Sequence, residues 1–385
     1  MRAMRILLTV LTTLLAAVAG AEPRARDLGV RFDGEPGPLN AITDVAGVTV
    51  GHATLIEDLA NGHKARTGVT AILPRGRASL RTPVFGGGFT LNGAGEMTGT
   101  AWIEESGTLE GPVMLTNTHS VGTVHEATIA WRVRQGEADA AGYFWSTPTV
   151  AETWDGHLND VNGFHVKPAH VDAALDSAKS GPVAEGNVGG GTGMTCHEFK
   201  CGIGTASRRV EIDGRVRLLG VLVQANYGTR NSLRIAGVPV GQHLQQDRPK
   251  EPIAGGGDSG SIIIVVATDA PLLPHQLKRI ARRAGMGLAR LGSFAGNGSG
   301  DIFVAFSTAN EAALSGAPLA QAEFMDNGSL DPLFEATVQA TEEAIVNAMI
   351  AARDMEGDGG RWAKALPQPE LVALLKRYGR LSAPR

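Results

Sequence analysis

Short apolar runs rich in β-branched residues and bounded by glycine clusters constrain this fold most, because each run has only the length of a buried strand. Segments with an apolar residue every three or four positions lie between the runs and predict helices. The predicted strands are 45–51, 67–73, 111–116, 217–224, 261–267 and 301–307, and the predicted helices are 120–135, 168–180, 274–291 and 333–352. Interleaved strands and helices predict a layered α/β protein.

The glycine content and the charge narrow the class of protein further. Glycine supplies 51 of the 385 residues, against a usual share of about 7%, so many tight turns or close backbone approaches are expected. The hydrophobic content of 43% excludes an extended disordered chain. The formal net charge of −4 provides no basic field, which argues against a nucleic-acid binder. A P-loop is missing, and the cluster 189–193 departs from the dinucleotide pattern, so we expect no cofactor.

The first 21 residues have the pattern of a secretory signal peptide. Arg2 and Arg5 precede an apolar run over 6–18, and Ala19-Gly20-Ala21 is a small-residue cleavage signal. A membrane anchor is the alternative, but the run is shorter than the ~20 residues that a span requires. We therefore expect a mature chain from residue 22 that is secreted, in the periplasm, with no membrane contact after signal removal.

Two cysteines, Cys196 and Cys201, occur in the sequence Cys-His-Glu-Phe-Lys-Cys. In an oxidising compartment they can pair, and two unpaired thiols are the alternative. A zinc site would need two further ligands, and the segment lacks the second histidine of the His-Glu-x-x-His motif. We therefore expect no metal here.

A polar segment rich in proline and glycine, 248–260, ends directly before the apolar run that begins at Ser261. A linker between domains is one interpretation, and a processing site in front of a core strand is the other. Cleavage between Gly260 and Ser261 would give Ser261 a free α-amino group with a pKa of about 7.7–8.0, close enough to act as base for its own hydroxyl. The simpler alternative is that Ser261 only opens a strand.

Several long motifs, in order from about residue 28 to 355, resemble the DmpA-type family, the L-aminopeptidase/D-esterase and β-peptidyl aminopeptidase enzymes. The matching stretches are NAITDVAGVTVGH (40–52), VFGGGFTLNGAGEMTG (84–99), LTNTHSVGTV (115–124), VAETWDGHLND (150–160), GNVGGGTGMTCHEFKCGIGTASR (186–208), GVLVQANYG (220–228), GSIIIVVATDAPLLPHQLKRIARRA (260–284) and GNGSGDIFVAFSTAN (296–310). Each stretch alone is a modest signal, whereas their order together is specific.

This resemblance implies a fold and a processing event. The fold would be a four-layer αββα sandwich of the DmpA/ornithine-acetyltransferase kind, forming a single peptidase domain over 22–385. Self-cleavage between Gly260 and Ser261 would leave a large chain, 22–260, and a small chain, 261–385, that stay together. The family further implies a homo-oligomer, a tetramer of processed units.

The resemblance also assigns roles to individual residues. Ser261 matches the family's nucleophile, and Ser299 with Asp301 matches the pair that supports it. Asn226 matches the asparagine that stabilises the oxyanion, a role for which a side-chain N–H donor is suited. Glu152 matches the acid that receives the free amino group of the substrate, a charge-assisted contact.

Two positions depart from the family pattern. Trp154 stands where the family often has tyrosine, so it can line the substrate pocket without reproducing the phenol's contact. Asp301 stands where some relatives have glutamate, so its shorter side chain must reach Ser299 through the position of the backbone. Both departures bear on substrate preference.

These residues predict a self-processing serine aminopeptidase that hydrolyses N-terminal residues from short peptides, amides or esters through an acyl-enzyme on Ser261. An acyltransferase on the same fold is the first alternative, although the related ornithine acetyltransferases use a threonine nucleophile. An unprocessed binding protein is the second alternative. The sequence does not distinguish α- from β-amino-acid substrates.

Overall fold

The computed structural model describes residues 23–77, 80–136, 138–249 and 260–382. The predicted signal peptide, residues 1–21, lies outside the described residues, as does most of the predicted processing segment. None of the helices in these ranges combines the length and the apolar character that crossing a bilayer requires.

Strands and helices follow one another along the chain in the interleaved manner that the sequence predicts. The strands are β1 (Thr49–Asp58), β2 (Lys64–Arg77), β3 (Val84–Gly93), β4 (Thr108–Leu109), β5 (Val113–Asn117), β6 (Thr149–Thr153), β7 (Thr195–Cys196), β8 (Phe199–Lys200), β9 (Ile203–Ile212), β10 (Arg215–Asn226), β11 (Ser261–Thr268), β12 (Gly300–Ser307), β13 (Met355–Glu356) and β14 (Trp362–Ala363). The helices are α1 (Thr100–Ser106), α2 (Val121–Arg134), α3 (Pro168–Asp176), α4 (Val240–His243), α5 (Pro274–Arg290), α6 (Asp331–Ile350) and α7 (Gln368–Arg377).

Two mixed sheets form the centre of the molecule. The smaller sheet has the order β1-β2-β5-β6, and the larger has the order β4-β3-β12-β11-β10-β9. The pairs β5–β6 and β11–β12 are parallel, and the other neighbouring pairs of these sheets are antiparallel. Each parallel pair is connected through a helix, α2 in the first case and α5 in the second.

The two faces of β11 explain the layering, because successive side chains of a strand point to opposite sides. Ile263 and Val265 pack between the two sheets, together with side chains from the smaller sheet. Ile262 and Ile264 pack on the other side, in the core that the larger sheet shares with α5 and α6. A further core lies between the smaller sheet and helices α2 and α3. The layers are therefore helices, sheet, sheet and helices, which confirms the predicted αββα sandwich.

Boundaries differ from the predicted ones at several places, and two of these places are neighbours in the fold. The first strand begins at Thr49 rather than at residue 45. The predicted helix 168–180 ends as α3 at Asp176, because Lys179 forms two backbone hydrogen bonds with Val50 of β1. A residue that bridges to a strand has no backbone groups left for continuing the helix.

Strand β3 carries a glycine cluster because a helix packs tightly against it. A Cβ atom on Gly87 would lie 2.4 Å from the backbone nitrogen of Lys278 in α5. On the neighbouring Gly88, the nearest atom to such a Cβ would be the carbonyl oxygen of Phe303, at 3.8 Å. Of the two uses that glycine clusters suggest, turns or close backbone approach, Gly87 serves the second.

Candidate active site

Ser261 lies at the start of β11, one of the two central strands of the larger sheet. It pairs with Asn226 of β10 on one side and with Gly300 of β12 on the other. Its side chain is almost completely buried, and its Oγ donates a hydrogen bond of 2.6 Å to the carbonyl oxygen of Gly260. That same carbonyl accepts a 3.0 Å hydrogen bond from the backbone N–H of Gly300. The peptide group between Gly260 and Ser261 is therefore held against the hydroxyl that is proposed to attack it.

Residue 260 has no room for a side chain. A Cβ atom there would lie 2.1 Å from the carbonyl oxygen of Asn226 and 2.6 Å from the Cα atom of Tyr227. Because both contacts are with backbone atoms, they cannot be relieved by a change of rotamer. Gly260 is required by close packing against the end of β10.

Asn226 presents its amide in one orientation. Its Oδ1 accepts a 2.9 Å hydrogen bond from the backbone N–H of Thr195, and its Nδ2 donates a 2.8 Å hydrogen bond to the carbonyl oxygen of Trp154. Since a backbone N–H only donates, these partners assign the oxygen and nitrogen of the amide. The second hydrogen of Nδ2 is not needed for the bond to Trp154. Asn226 can therefore donate to a further acceptor beside Ser261.

Ser299 and Asp301 lie at the start of β12, next to Ser261, because β11 and β12 run parallel and begin at the same sheet edge. The Ser299 Oγ donates a 2.7 Å hydrogen bond to Asp301 Oδ1, and both side chains are completely buried. The aspartate thus reaches Ser299 directly despite its shorter side chain.

Glu152 lies in β6 of the smaller sheet and is buried. Its Oε1 accepts a 3.0 Å hydrogen bond from the backbone N–H of Glu96, and its Oε2 accepts a hydrogen bond from Thr118 Oγ1. Burial raises the pKa of Glu152, while the hydrogen bonds from Thr118 and Glu96 lower it, and the net direction is upward. A Cβ on Gly95 would lie 3.2 Å from Glu152 Oε1 and 3.1 Å from Gly300 Cα. The carboxylate therefore lies close to the start of β12.

Trp154 makes contacts through both its backbone carbonyl and its indole ring. The carbonyl oxygen accepts the hydrogen bond from Asn226. The half-buried indole lies against Gly156, where a Cβ would come within 2.4 Å of the ring. The next residue, Asp155, is buried, which raises the pKa of its carboxyl to about 7.

Four of the six residues predicted from the resemblance therefore lie at one edge of the larger sheet, and the other two, Glu152 and Trp154, lie in and directly after β6 of the smaller sheet. Thr118 and Thr195, which hold Glu152 and Asn226 by hydrogen bonds, were not singled out from the sequence. Both stand inside motifs that were recognised, 115–124 and 186–208, and position inside a motif was the only available signal. A contact between residues 34 or 31 positions apart leaves no local pattern.

Cys196 and Cys201 form a disulfide, so the first of the two alternatives for them applies. It closes the short hairpin of β7 and β8. Within the described ranges, no group of three or more histidine, cysteine, aspartate or glutamate side chains is arranged to hold a metal ion.

The arrangement combines four chemical capabilities at one edge of the larger sheet. A serine hydroxyl lies against a carbonyl group, and an amide N–H donor stands beside it. A serine–aspartate pair is buried next to the same strand start. A buried carboxylate supplies negative charge nearby. Such a set suits acyl transfer to a serine from a substrate that carries a positive charge.

Comparison with known proteins agrees with this geometry. The sequence profile of peptidase family S58 matches residues 40–363. The chain is 55% identical to β-peptidyl aminopeptidase BapA of Sphingosinicella microcystinivorans, with 96% of each chain covered. It is 48% identical to the BapA protein of Sphingosinicella xenopeptidilytica, covering 96% of this chain and 95% of that protein.

Solved structures give the same result. The L-aminopeptidase D-Ala-esterase/amidase of Ochrobactrum anthropi, a serine aminopeptidase with a variant of the Ntn hydrolase fold, is 51% identical with a TM-score of 0.88, covering 94% of this chain and 100% of that chain. A β-aminopeptidase of Burkholderia sp. is 48% identical with a TM-score of 0.83, covering 93% of this chain and 99% of that chain. The chain belongs to peptidase family S58, a family of aminopeptidases, and shares their Ntn hydrolase fold.

Proposed function

We propose that this protein is a self-processing serine aminopeptidase whose nucleophile is Ser261. The observation that carries the proposal is the position of Ser261: first residue of a central strand, opposite Asn226, with its Oγ against the carbonyl of Gly260. The substrates are short peptides, amides or esters with a free amino group. Assignment of the individual roles rests on this geometry together with the family resemblance.

Processing begins when Ser261 Oγ attacks the carbonyl carbon of Gly260. The Oγ–C bond forms and the C–N bond to Ser261 breaks, while the hydroxyl proton passes to the departing nitrogen. Water then hydrolyses the resulting ester, which releases the carboxylate of Gly260 and leaves Ser261 with a free α-amino group. Asn226 supports both steps by donating its Nδ2–H to the oxyanion.

Peptidase action uses the same atoms on an external substrate. The α-amine of Ser261, with an ordinary pKa of about 7.7–8.0, takes the proton from Oγ as the hydroxyl attacks the substrate carbonyl. The proton then passes to the leaving amine, and an acyl-enzyme remains until water releases the free acid. Ser299 and Asp301, hydrogen-bonded to each other, lie where they can orient the new amine.

Glu152 binds the ammonium group of the substrate. Its carboxylate is buried, held by two donors, and close to the start of β12, so a cation that enters gains a charge-assisted contact. This contact restricts the enzyme to substrates with a free N-terminus.

The first test replaces the nucleophile. Ser261→Ala should abolish both self-cleavage and peptidase activity, because one hydroxyl carries out both attacks. Intact mass spectrometry of the purified protein measures the cut, and it also reports the signal cleavage after Ala21. Two chains split after Gly260 in the substituted protein would show that another group makes the cut.

The second test removes the charge that binds the substrate amine. Glu152→Gln should leave self-cleavage intact, since that reaction involves no substrate ammonium. It should lower kcat/KM roughly ten- to a hundredfold, from a contact of about 1.5–3 kcal/mol at about 1.36 kcal/mol per decade. The measurement compares free-amine and N-acetylated p-nitroanilides on both proteins. Equal turnover of the two substrates by the unmodified enzyme would rule out an aminopeptidase.

One assay can determine both the substrate class and whether water or an amine accepts the acyl group. Two relatives are β-peptidyl aminopeptidases, and another is an L-aminopeptidase with D-Ala-esterase/amidase activity. We propose that this enzyme accepts N-terminal β-residues, to be compared with matched α-residues on one leaving group. Release of free acid identifies hydrolysis, and an acylated amine product identifies the acyltransferase alternative.

We also propose that the mature enzyme is periplasmic and that processed units assemble as a homo-oligomer, a tetramer. Trp102 and Trp145 form an edge-to-face pair with ring centres 5.7 Å apart, and both rings are exposed. An exposed aromatic pair of this kind is suited to a contact between subunits. Native mass spectrometry of periplasmic material measures the number of chains.

A further inference from the structure

Beside the active site lies a short hairpin, residues 195–201, which the proposed mechanism does not use. It consists of β7 and β8, paired through Thr195 with Lys200 and Cys196 with Phe199, and it is closed by the disulfide between Cys196 and Cys201. We call it the disulfide hairpin. Its residues are buried, apart from Glu198, which is partly exposed.

We propose that the disulfide hairpin is a positioning element for catalysis, in which Thr195 fixes the amide of Asn226 and the Cys196–Cys201 bond fixes Thr195. This inference rests on the proposed role of Asn226 as oxyanion donor. It assigns a role in catalysis to the disulfide.

The hairpin contacts the Asn226 side chain directly. The backbone N–H of Thr195 donates a 2.9 Å hydrogen bond to Asn226 Oδ1, and Thr195 Oγ1 donates a longer one of 3.4 Å to the same atom. With Oδ1 held in this way, Nδ2 is directed to the opposite side, where it meets the carbonyl of Trp154. The direction of the catalytic N–H therefore depends on the position of Thr195.

The hairpin and the segment after it also hold the backbone on both sides of Asn226. The backbone N–H of His197 donates a 2.7 Å hydrogen bond to the carbonyl of Tyr227, and the N–H of Ala225 donates a 3.0 Å bond to the carbonyl of Gly202. Cys196 Sγ lies 3.3 Å from the carbonyl oxygen of Ala225. A displacement of the hairpin would thus be transmitted to Asn226 through its side chain and through both neighbours.

Two residues per strand are too few to keep a hairpin in one conformation without further support. The disulfide joins its two ends, and the buried Lys200 adds hydrogen bonds of 2.8 Å and 2.5 Å from Nζ to the carbonyls of Met194 and Cys201. Burial also lowers the pKa of Lys200 well below its ordinary value. Local fluctuations can break the hydrogen bonds of this hairpin, but they do not break the disulfide.

A double-mutant cycle tests whether the disulfide acts through Asn226. The combined substitution Cys196→Ala and Cys201→Ala is made in the native protein and again in the Asn226→Ala protein, and kcat and KM are measured on two-chain material. Loss of one oxyanion donor typically costs about 10²–10³ in rate. We expect the cysteine substitutions to cause part of this loss. The kcat should fall roughly 3- to 30-fold, while KM should change by less than about twofold.

The cycle separates a positioning role from a purely structural one. In the Asn226→Ala background the cysteine substitutions should lower kcat by less than about twofold, because the group that they disturb is absent. Equal losses in the two backgrounds would overturn the inference. An unchanged kcat in Asn226→Ala alone would instead contradict the proposed function, so the two failures are distinguishable. Val171→Ala, a cavity variant in α3 on the far side of the smaller sheet, controls for general destabilisation.

A second pair of variants keeps the disulfide and so covers the case in which the cysteine variant does not fold. Thr195→Val removes the hydroxyl but retains the backbone N–H, and Thr195→Ser retains both donors. We expect a two- to fivefold loss of kcat in the valine variant and recovery in the serine variant. No loss in Thr195→Val, or the same loss in both, would overturn the role of Thr195.

Discussion

Glu152 faces two opposing requirements. Burial favours the neutral carboxyl and raises its pKa, whereas the proposed binding of a substrate ammonium group requires the carboxylate. The hydrogen bonds from Thr118 Oγ1 and from the N–H of Glu96 stabilise the ionised form and limit the rise. Thr118 is the one of the two donors that can be changed without altering the backbone.

A pH profile therefore tests the role of Thr118. Activity that needs ionised Glu152 falls as the pH drops through its raised pKa. Thr118→Val removes a hydrogen bond that lowers this pKa, so the acid limb of kcat/KM should move to higher pH. Thr118→Ser keeps the hydroxyl and should return the limb to its original place. Profiles of the three proteins between about pH 4 and 8 supply the measurement, and a limb that does not move in Thr118→Val would contradict this role.

At this scale the sequence pointed to the residues to which we assign catalytic and binding roles, but not to the residues that hold them by hydrogen bonds. Ser261, Asn226 and Glu152 stand in motifs whose order was recognisable. Thr118 and Thr195 matter through contacts that exist only after the sheets have packed, so no spacing along the chain announces them.

The site forms where the ends of neighbouring strands in the larger sheet lie together. Strands β11 and β12 start side by side, and β10 ends opposite them, so three loop junctions converge on Ser261. Helix α5, which connects the two parallel strands, must lie flat on the larger sheet. Gly87 in β3 makes that close packing possible.

Substituting two neighbouring glycines of β3 tests whether the close packing of α5, rather than the strand itself, requires glycine. Gly87→Ala places a methyl group against the backbone of α5 and should lower the free energy of unfolding by about 2–4 kcal/mol. Gly88→Ala meets only an ordinary contact at 3.8 Å and should change it by less than about 1 kcal/mol. Urea unfolding in the single-chain Ser261→Ala background gives both values, and equal effects would show that α5 does not impose the glycine.

Element prediction succeeded where buried strands are continuous and apolar, and failed where their composition is atypical. Strand β11 is apolar along its length because both of its faces are covered. Strand β3 was missed because glycine is ordinarily depleted in strands, and its glycines reflect tertiary packing. Strand β6, which carries Glu152, has only five residues and includes three polar ones, all buried.

A buried ion cluster connects the parts of the molecule on the two sides of the proposed cut. The carboxylate of Glu343 in α6 forms two ion pairs. Its Oε2 lies 2.8 Å from Nη2 of Arg208 in β9, and its Oε1 lies 2.7 Å from Nε of Arg26 in the N-terminal segment. Burial raises the pKa of Glu343, but the Arg26 hydrogen bond and the charges of Arg208 and Arg26 outweigh it and hold the pKa below its ordinary value. Two cations that precede the proposed cut in the sequence thus depend on one carboxylate that follows it.

Removal of that carboxylate should destabilise the fold strongly. Glu343→Gln leaves the buried guanidinium of Arg208 without its counter-charge and should cost about 3–5 kcal/mol at neutral pH. The stabilisation exists above the ordinary pKa of glutamate and is lost as the pH falls through the lowered one. The difference between the two proteins should therefore shrink in acid.

The neighbouring Glu342 provides the control. Its ion pair with Arg290 is more exposed, so Glu342→Gln should change stability by less than about 1 kcal/mol. Urea unfolding of both variants in the Ser261→Ala background, at neutral and acidic pH, supplies the comparison. A loss in Glu343→Gln that is independent of pH would show that the charge of the cluster is not what stabilises it.

The order of strands in the larger sheet has a consequence for the lifetime of the enzyme. Strands β12 and β11 follow Gly260 in the chain, whereas β3 and β10, which flank them, precede it. Under the proposed self-cleavage, the chain folds while it is still covalently continuous, in a first-order process, and the cut then removes the connection. Afterwards the same sheet can reform only by an encounter of two separate chains, at a rate that depends on their concentration. The mature enzyme then persists by the slowness of its unfolding, and an unfolded molecule in dilute surroundings is lost.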